Sequence, residues 1–325
     1  MKILVTGGCG FIGSNYIHYI LEKYDDIEVA NLDKLTYCGN PDNLKDVEGD
    51  PRYSFQQGDI CDSDLVGKML QGVDILVNFA AETHVDRSIK YPDDFIKTNV
   101  YGVNVLLKAA RENKVSKFVQ IGTDEVYGDV AEGFSTEDDP IKPNSPYSAT
   151  KAAGDVLVLS HHTTYGLPVV VTRSSNNFGP YQYPEKVIPL FITNLLGGKK
   201  VPLYGDGGNM RDWLYVTDNC EAIDIVARKG EAGNIYNIGG GNVITNKKLT
   251  HSILSIMGKD ESFITLVTDR PGHDRRYAID SSRVEGLGWS PSAGFEDNLK
   301  KTVEWYKNNG SWWEPLREKA EIIEW

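Results

Sequence analysis

Short apolar blocks recur along the first half of the chain, each followed by a stretch of helical periodicity. Lys2-Ile3-Leu4-Val5-Thr6 is brief and almost wholly apolar, which suits a buried strand better than a surface helix. Similar runs predict strands at 27–32, 53–57, 74–79, 117–122 and 168–174, with helices between them at 12–24, 62–70, 92–113 and 147–166. Alternating strand and helix define an α/β fold, here a Rossmann-like doubly wound parallel sheet whose ligands bind at the carboxyl ends of the strands. Beyond about residue 175 the rhythm changes. Shorter strands at 201–204, 235–238 and 263–267 mix with helices at 187–197, 217–229, 245–257 and 294–309, broken by Gly205-Asp206-Gly207-Gly208 and Gly239-Gly240-Gly241. The expected organisation is a sheet domain over 1–175 and a smaller mixed α/β lobe over 176–325, with a soft boundary and interdigitated lobes.

The first strand runs into Gly7-Gly8-Cys9-Gly10-Phe11-Ile12-Gly13 and then a helical pattern. Gly7, Gly10 and Gly13 form G-x-x-G-x-x-G, in which glycines permit a tight turn, let backbone approach a pyrophosphate and seat a helix N-terminus against it. The second strand leads to Asp33, twenty residues after Gly13, where a carboxylate accepts from the adenosine ribose hydroxyls. That charge repels a 2′-phosphate and favours NAD over NADP. No Gly-Lys-Ser/Thr follows the loop, so a nucleotidase phosphate loop is not expected.

Composition narrows the class without changing it. A chain of 325 residues with net charge −12 can bury a large core, and its charge argues against nucleic acid and anionic membrane surfaces as partners. Cys9, Cys38, Cys61 and Cys220 form no C-x-x-C pair, and the six histidines include His161-His162 but no H-E-x-x-H. Neither a metal site nor a disulfide framework is expected. No signal peptide or membrane span is visible, and a reducing cytoplasm fits best.

The predicted helix 147–166 carries Tyr147 and Lys151 four residues apart, on one face. A phenol titrates near ~10, and bringing it to about 7 takes roughly 4 kcal/mol of preferential phenolate stabilisation, which a lysine and a cofactor cation together supply. Tyr147 is then a base for an alcohol proton. Thr123 falls at the carboxyl end of strand 117–122 and completes a Thr-Tyr-Lys set for hydride transfer. Asp124-Glu125 comes next, and an alcohol dehydrogenase has no use for two further carboxyls there. An acid beside a base is what loss of water next to a new ketone requires. Adjacent residues on a regular strand point apart, so both reach one substrate only if the strand has ended by Asp124.

Gly7-x-x-Gly10-x-x-Gly13, Asn78-Phe79-Ala80-Ala81-Glu82-Thr83-His84-Val85-Asp86-Arg87-Ser88, Thr123-Asp124-Glu125-Val126-Tyr127-Gly128 and Tyr147-Ser148-Ala149-Thr150-Lys151 resemble the extended short-chain dehydrogenase/reductase family. The Asp-Glu pair, the stretch Arg173 to Lys186 and the run Asp269-Arg270-Pro271-Gly272-His273-Asp274-Arg275-Arg276-Tyr277 look like its branch that dehydrates dTDP-glucose. The likeness covers nearly the whole chain. Cys9 stands where alanine is usual, Phe178 where tyrosine is common, and the Trp-rich segment after about residue 310 has no role.

The resemblance implies bound NAD in a loop containing Phe11 and Ile12, with Asp33 on the ribose, Asp59 and Ile60 beside the adenine, and Ala80, Ala81 and Asn99 along the cofactor path. It implies Tyr147 as base at C4 supported by Thr123 and Lys151, Glu125 as base at C5, and Asp124 as acid at the C6 oxygen. For the substrate, dTDP-glucose, it implies contacts from His84, Thr123, Asn176 and Tyr277, with Asn177, Lys186, Arg211, Asn246 and Arg276 near the diphosphate and Pro202 and Tyr204 near the base. A homodimer paired through helices 92–113 and 147–166 is also implied. A nucleotide-sugar 4-epimerase and a noncatalytic NAD-binding regulator are the alternatives; the first has no use for Asp124-Glu125, the second none for Tyr147 and Lys151.

Overall fold

The computed structural model describes residues 1–269 and 274–319. Arg270, Pro271, Gly272 and His273 of the run noted above, and residues 320–325 of the Trp-rich segment, lie outside the described residues.

Six strands follow the predicted runs: β1 (Lys2–Thr6), β2 (Glu28–Asp33), β3 (Tyr53–Gln57), β4 (Ile75–Asn78), β5 (Lys117–Thr123) and β6 (Val169–Ser174). With β10 (Ile235–Ile238) they form a parallel sheet of seven strands in the order β10-β6-β5-β4-β1-β2-β3. The order reverses between β1 and β4, the switch point where an open α/β sheet leaves a crevice. Alternate strand residues feed two apolar layers. One packs Ile3, Val5 and Val77 under helix α1 (Phe11–Lys23); the other packs Leu4, Leu76 and Phe118 under Leu106 and Val158.

The long helix predicted over 92–113 is interrupted. Helices α3 (Val85–Lys90) and α4 (Pro92–Ile96) lead into a π-helical turn at Lys97–Gly102, and only then does α5 (Val103–Glu112) begin. Helix α6 (Pro146–Tyr165) is fixed at both ends. Ser145 and Ser148 cap it reciprocally, Pro146 occupies its first turn, and Gly166 closes it in the left-handed region at φ 69°. Its buried face carries Tyr147, Lys151 and Asp155, one turn apart.

The remaining strands build two small sheets, β11 (Val243–Thr245), β9 (Met210–Tyr215) and β7 (Asn176–Phe178) in one, β12 (Ile264–Val267) and β8 (Val201–Tyr204) in the other. They pack with helices α7 (Val187–Leu196), α9 (Asn246–Ile256) and α11 (Phe295–Asn308) around Phe178, Phe191 and Leu299. Helix α8 (Val216–Lys229) lies instead on the large sheet, against α1.

Candidate active site

Two contiguous cavities open at the carboxyl edge of the large sheet. Gly7, Gly10, Phe11, Ile12 and Gly13 form the floor of the first. Gly7 has φ +71°, and a Cβ there would lie 2.6 Å from the Ala80 nitrogen; a Cβ on Gly13 would lie 2.4 Å from the Gly7 carbonyl oxygen. Only glycine permits that approach. Gly10, with no side chain to cap it, sits at the start of α1, so the helix terminus is free to face an anion.

Asp33 lines the same cavity at the end of β2. Its Oδ2 accepts from the Cys9 N–H at 2.9 Å and its Oδ1 from the Leu35 N–H at 2.8 Å. Burial raises its pKa, and these two bonds oppose the rise. A carboxylate offers about four lone-pair positions, so acceptor capacity remains for two ribose hydroxyls. Lys34, the adjacent cation, is taken up by Asp59 at 2.9 Å. Asp59, Ile60, Ala80 and Ala81 line the same cavity. A close-approach glycine loop, an open helix terminus and a half-satisfied buried acceptor together fit a dinucleotide without a 2′-phosphate.

Asn99 departs from expectation. It is buried at 2% exposure behind the cavity wall, where its Oδ1 accepts from the Glu82 N–H at 2.9 Å and its Nδ2 donates to the Glu82 carbonyl at 3.0 Å and to Thr150 Oγ1 at 3.1 Å. The π-turn that breaks the predicted helix sets this side chain against Glu82, so it shapes the wall without forming it.

The reacting groups gather where β5 ends. Strand geometry stops at Thr123, and a 3₁₀ turn over Asp124–Tyr127 starts at once, with Thr123 Oγ1 accepting from the Glu125 N–H at 3.3 Å. The required change of direction is therefore present, and Asp124 and Glu125 both face the cavity lined by Thr123, Tyr147 and Lys151. Asp124 is 3% exposed. Its Oδ1 receives only the Thr123 hydroxyl at 3.4 Å, and its Oδ2 has no hydrogen-bond partner among the described residues. Burial, then the negative charges of Glu125 and Asp212, push its pKa well above the usual carboxylate range.

Tyr147 is buried beside Thr123 and Glu125. Burial first and Glu125 second push its pKa up, and only a hydrogen bond with Thr123 pulls it down. Lys151 donates to the Ile121 carbonyl, and burial lowers its own pKa while Asp155 partly restores it. The protein groups alone thus hold the phenol neutral, and a phenolate requires an added positive charge in the cavity.

Glu125, Thr83, Asn176, Glu185 and Lys186 line both cavities and mark the junction. His84, Pro202, Tyr204, Arg211, Asn246 and Tyr277 line the second cavity, of about 820 Å³, whereas Asn177 faces the first. The Oδ1 atoms of Asn176 and Asn246 are buried without a hydrogen-bond partner among the described residues, the condition of acceptors that meet a ligand's donors. Arg211 stacks on Tyr277 at 4.2 Å and donates to the carbonyls of Met210 and Asp274. Arg276 is not brought in. Its guanidinium donates to the carbonyls of Val130 and Gly133 at 2.9 and 2.8 Å, because the 128–134 loop offers it acceptors on the far side of the backbone. Two wall residues carried no sequence role. Glu185, nearly buried, accepts from the Tyr37 hydroxyl at 3.0 Å and lies 3.8 Å from His84. Glu185 stands in a quoted motif and could have been found there; Tyr37 had no distinguishing pattern.

A doubly wound sheet with this glycine loop, strand-end aspartate and Thr-Tyr-Lys set defines a dinucleotide-dependent short-chain dehydrogenase/reductase of the extended class. A family model described as GDP-mannose 4,6 dehydratase matches residues 4–302, and the chain belongs to that family. The dTDP-glucose 4,6-dehydratase of Streptomyces niveus is 51% identical over 99% of this chain and 97% of its own length. The dTDP-glucose 4,6-dehydratase DesIV of Streptomyces venezuelae, crystallised with NAD and dTDP, superposes with a TM-score of 0.95 at 50% identity, covering 97% of this chain and 100% of that one. A UDP-glucose 4-epimerase of Thermotoga maritima, crystallised with UDP-glucose, gives 0.89 at 31% identity, over 95% and 99% of the two chains. No helix among the described residues is long and apolar enough to cross a membrane.

Proposed function

We propose that this chain converts dTDP-glucose to dTDP-4-keto-6-deoxyglucose with NAD held in the first cavity and the nucleotide sugar in the second. The observation that carries the reading is the placement of Asp124 and Glu125 at one strand end beside Tyr147 and Thr123. Bound NAD supplies a hydride acceptor that later returns the hydride, and a positive charge near Tyr147. Tyr147 takes the proton of the C4 hydroxyl, with Thr123 on its phenol and Lys151 behind it. The resulting ketone acidifies C5, and Glu125, at the junction of the cavities, removes that proton. Asp124 remains protonated because of its burial, and it gives its proton to the departing C6 hydroxyl as water leaves. Arg211 and Lys186 turn towards the diphosphate, and Pro202 and Tyr204 border the base. In this reading residues 1–175 chiefly serve the cofactor and 176–325 the nucleotide sugar, with β10 and α8 packed on the large sheet and the 177–186 segment bordering the cofactor cavity.

The test follows the hydrogens. Substrate deuterated at C4 is expected to give product with deuterium in the C6 methyl group, and turnover in heavy water to label C5. Deuterium kept at C4 would mark an epimerase, and its appearance in solvent would overturn the intramolecular route. We further propose a cytoplasmic homodimer. Its four cysteines are free, and Ile89, Tyr91, Ile96, Tyr101 and Val156 leave an exposed apolar face on α3, α4, the π-turn and α6. Sedimentation at a monomer's mass would remove the dimer.

A further inference from the structure

Helix α12 (Gly310–Lys319), which carries Trp312 and Trp313, contacts Asn43 on one side and the Tyr181–Tyr183 segment on the other. Trp312 meets Tyr181 at 5.8 Å and Trp305 at 5.1 Å between ring centroids, and Tyr181 meets Trp305 at 4.9 Å and His18 of α1 at 5.7 Å. Tyr181 is left-handed at φ 65°, a conformation that a bulky residue holds only when its surroundings fix it. It lies in the segment whose Asn177, Gln182, Tyr183, Glu185 and Lys186 form one wall. Helix α12 and its neighbour α11 also hold that wall directly. The Tyr183 hydroxyl donates to the Leu316 carbonyl at 3.5 Å, and the Tyr306 hydroxyl donates to the Gln182 carbonyl.

Towards the opposite wall runs a chain of hydrogen bonds. Trp312 Nε1–H donates to Asn43 Oδ1 at 2.8 Å, Asn43 Nδ2–H donates to the Cys9 carbonyl at 3.0 Å, and the Cys9 N–H donates to Asp33 Oδ2 at 2.9 Å. Asn43 is 1% exposed, so these bonds do not compete with bulk water. The indole is thereby linked to both the glycine loop and the proposed ribose acceptor.

We propose that α12 is a latch on the dinucleotide cavity, and that Trp312 is a positioning residue that slows cofactor release by fixing the Cys9–Asp33 side while its ring backs the 177–186 wall. This rests on the reading of the first cavity as an NAD site. The reaction proposed above returns its cofactor to the starting state in every cycle, so retention costs no turnover; a co-substrate that left each cycle would be hindered by such a latch.

Trp312→Phe keeps a ring in the cluster and removes the N–H. Trp313→Phe is the matched control, because its Nε1–H donates to the Tyr306 carbonyl at 2.8 Å and has no link to the glycine loop. NAD dissociation from reloaded protein, measured by stopped-flow trapping, is expected to be about two- to tenfold faster in Trp312→Phe, the span of one neutral hydrogen bond, and unchanged in Trp313→Phe. Asn43→Ala cuts the same chain at the next joint, and adding it to Trp312→Phe is expected to give no further acceleration. The cofactor-free melting temperatures of the two tryptophan variants are expected to match. Equal NAD release from the two variants and the unsubstituted protein overturns the latch alone. An unsubstituted protein that binds no NAD overturns the functional reading together with the latch.

Discussion

Asp33 and Asp124 follow the same rule of placement and receive opposite treatment. Both stand at the carboxyl edge of the large sheet, one as the last residue of β2 and the other just past β5, and both are buried, at 7% and 3% exposure. Asp33 has a backbone N–H on each oxygen, whereas among the described residues Asp124 has one long hydroxyl contact, an oxygen without a hydrogen-bond partner and two acidic neighbours. Hydrogen bonds to the charged form favour it, while burial and like charge disfavour it. Burial raises both, but at Asp33 two N–H groups oppose the rise, whereas at Asp124 like charge adds to it. Residue type and strand-end position are shared; the number of N–H groups aimed at the oxygens separates the proposed ribose acceptor from the proposed proton donor.

The largest expected effect lies on the proton-transfer side. Glu125→Gln is expected to lose about 10²–10⁴-fold in dehydration while still oxidising C4 on mixing with substrate, and Tyr147→Phe is expected to fail at C4 oxidation itself. Rapid-quench analysis separates the two steps, and normal turnover of Glu125→Gln would remove its role. Next in size, Asp33→Asn is expected to weaken NAD about 10- to 100-fold, the range for hydrogen bonds to a charged group, and to narrow the preference over NADP. Calorimetry on cofactor-stripped protein reads both, and equal NAD and NADP affinities before substitution would contradict the assignment.

The smallest effect is on stability. The folded pKa of Asp124 is raised above an unfolded value near ~3.9, so its protonation stabilises the fold at low pH and that contribution is lost as pH rises towards the folded pKa. Asp124→Asn does not ionise and escapes this loss. It is expected to melt higher than the unsubstituted protein at pH 7, with the gap closing towards pH 4. A gap that widens in acid would mean that Asp124 is not held protonated.

The alternation over the first 175 residues was legible because each strand is a short apolar run between periodic helices, and the end of β5 at Thr123 could be required from the chemistry before it was seen. Among the features that escaped, β9 and β11 included, three have separate causes. The π-turn at 97–102 leaves helical periodicity nearly intact, so 92–113 read as one helix. The strand Asn176–Phe178 is Asn-Asn-Phe, with no alternation to detect, and is held by pairing with β9. The family resemblance implied Arg276 as a diphosphate ligand, but the carbonyls of Val130 and Gly133 that hold its guanidinium come from a loop distant in sequence. Tyr147 illustrates a different gap. The spacing to Lys151 was readable, whereas the desolvation that raises the phenol depends on packing from several elements.

Strand β10 makes the molecule hard to divide into exchangeable parts. Every residue of β6 is buried, and its outer edge is covered only by residues 235–238, which arrive after β7, β8, β9 and α8 have left for the other lobe or returned from it. Until they arrive, a strand that is buried along its whole length in the folded protein presents an unpaired edge, a template for adhesion between chains. A chimaera that took its second lobe from a relative would inherit this obligation. The donor segment would have to supply a closing strand that matches Val171 to Ser174 in register, or the graft would expose the most aggregation-prone edge of the recipient. Recombination across residue 175 is therefore constrained by a four-residue strand some sixty positions downstream.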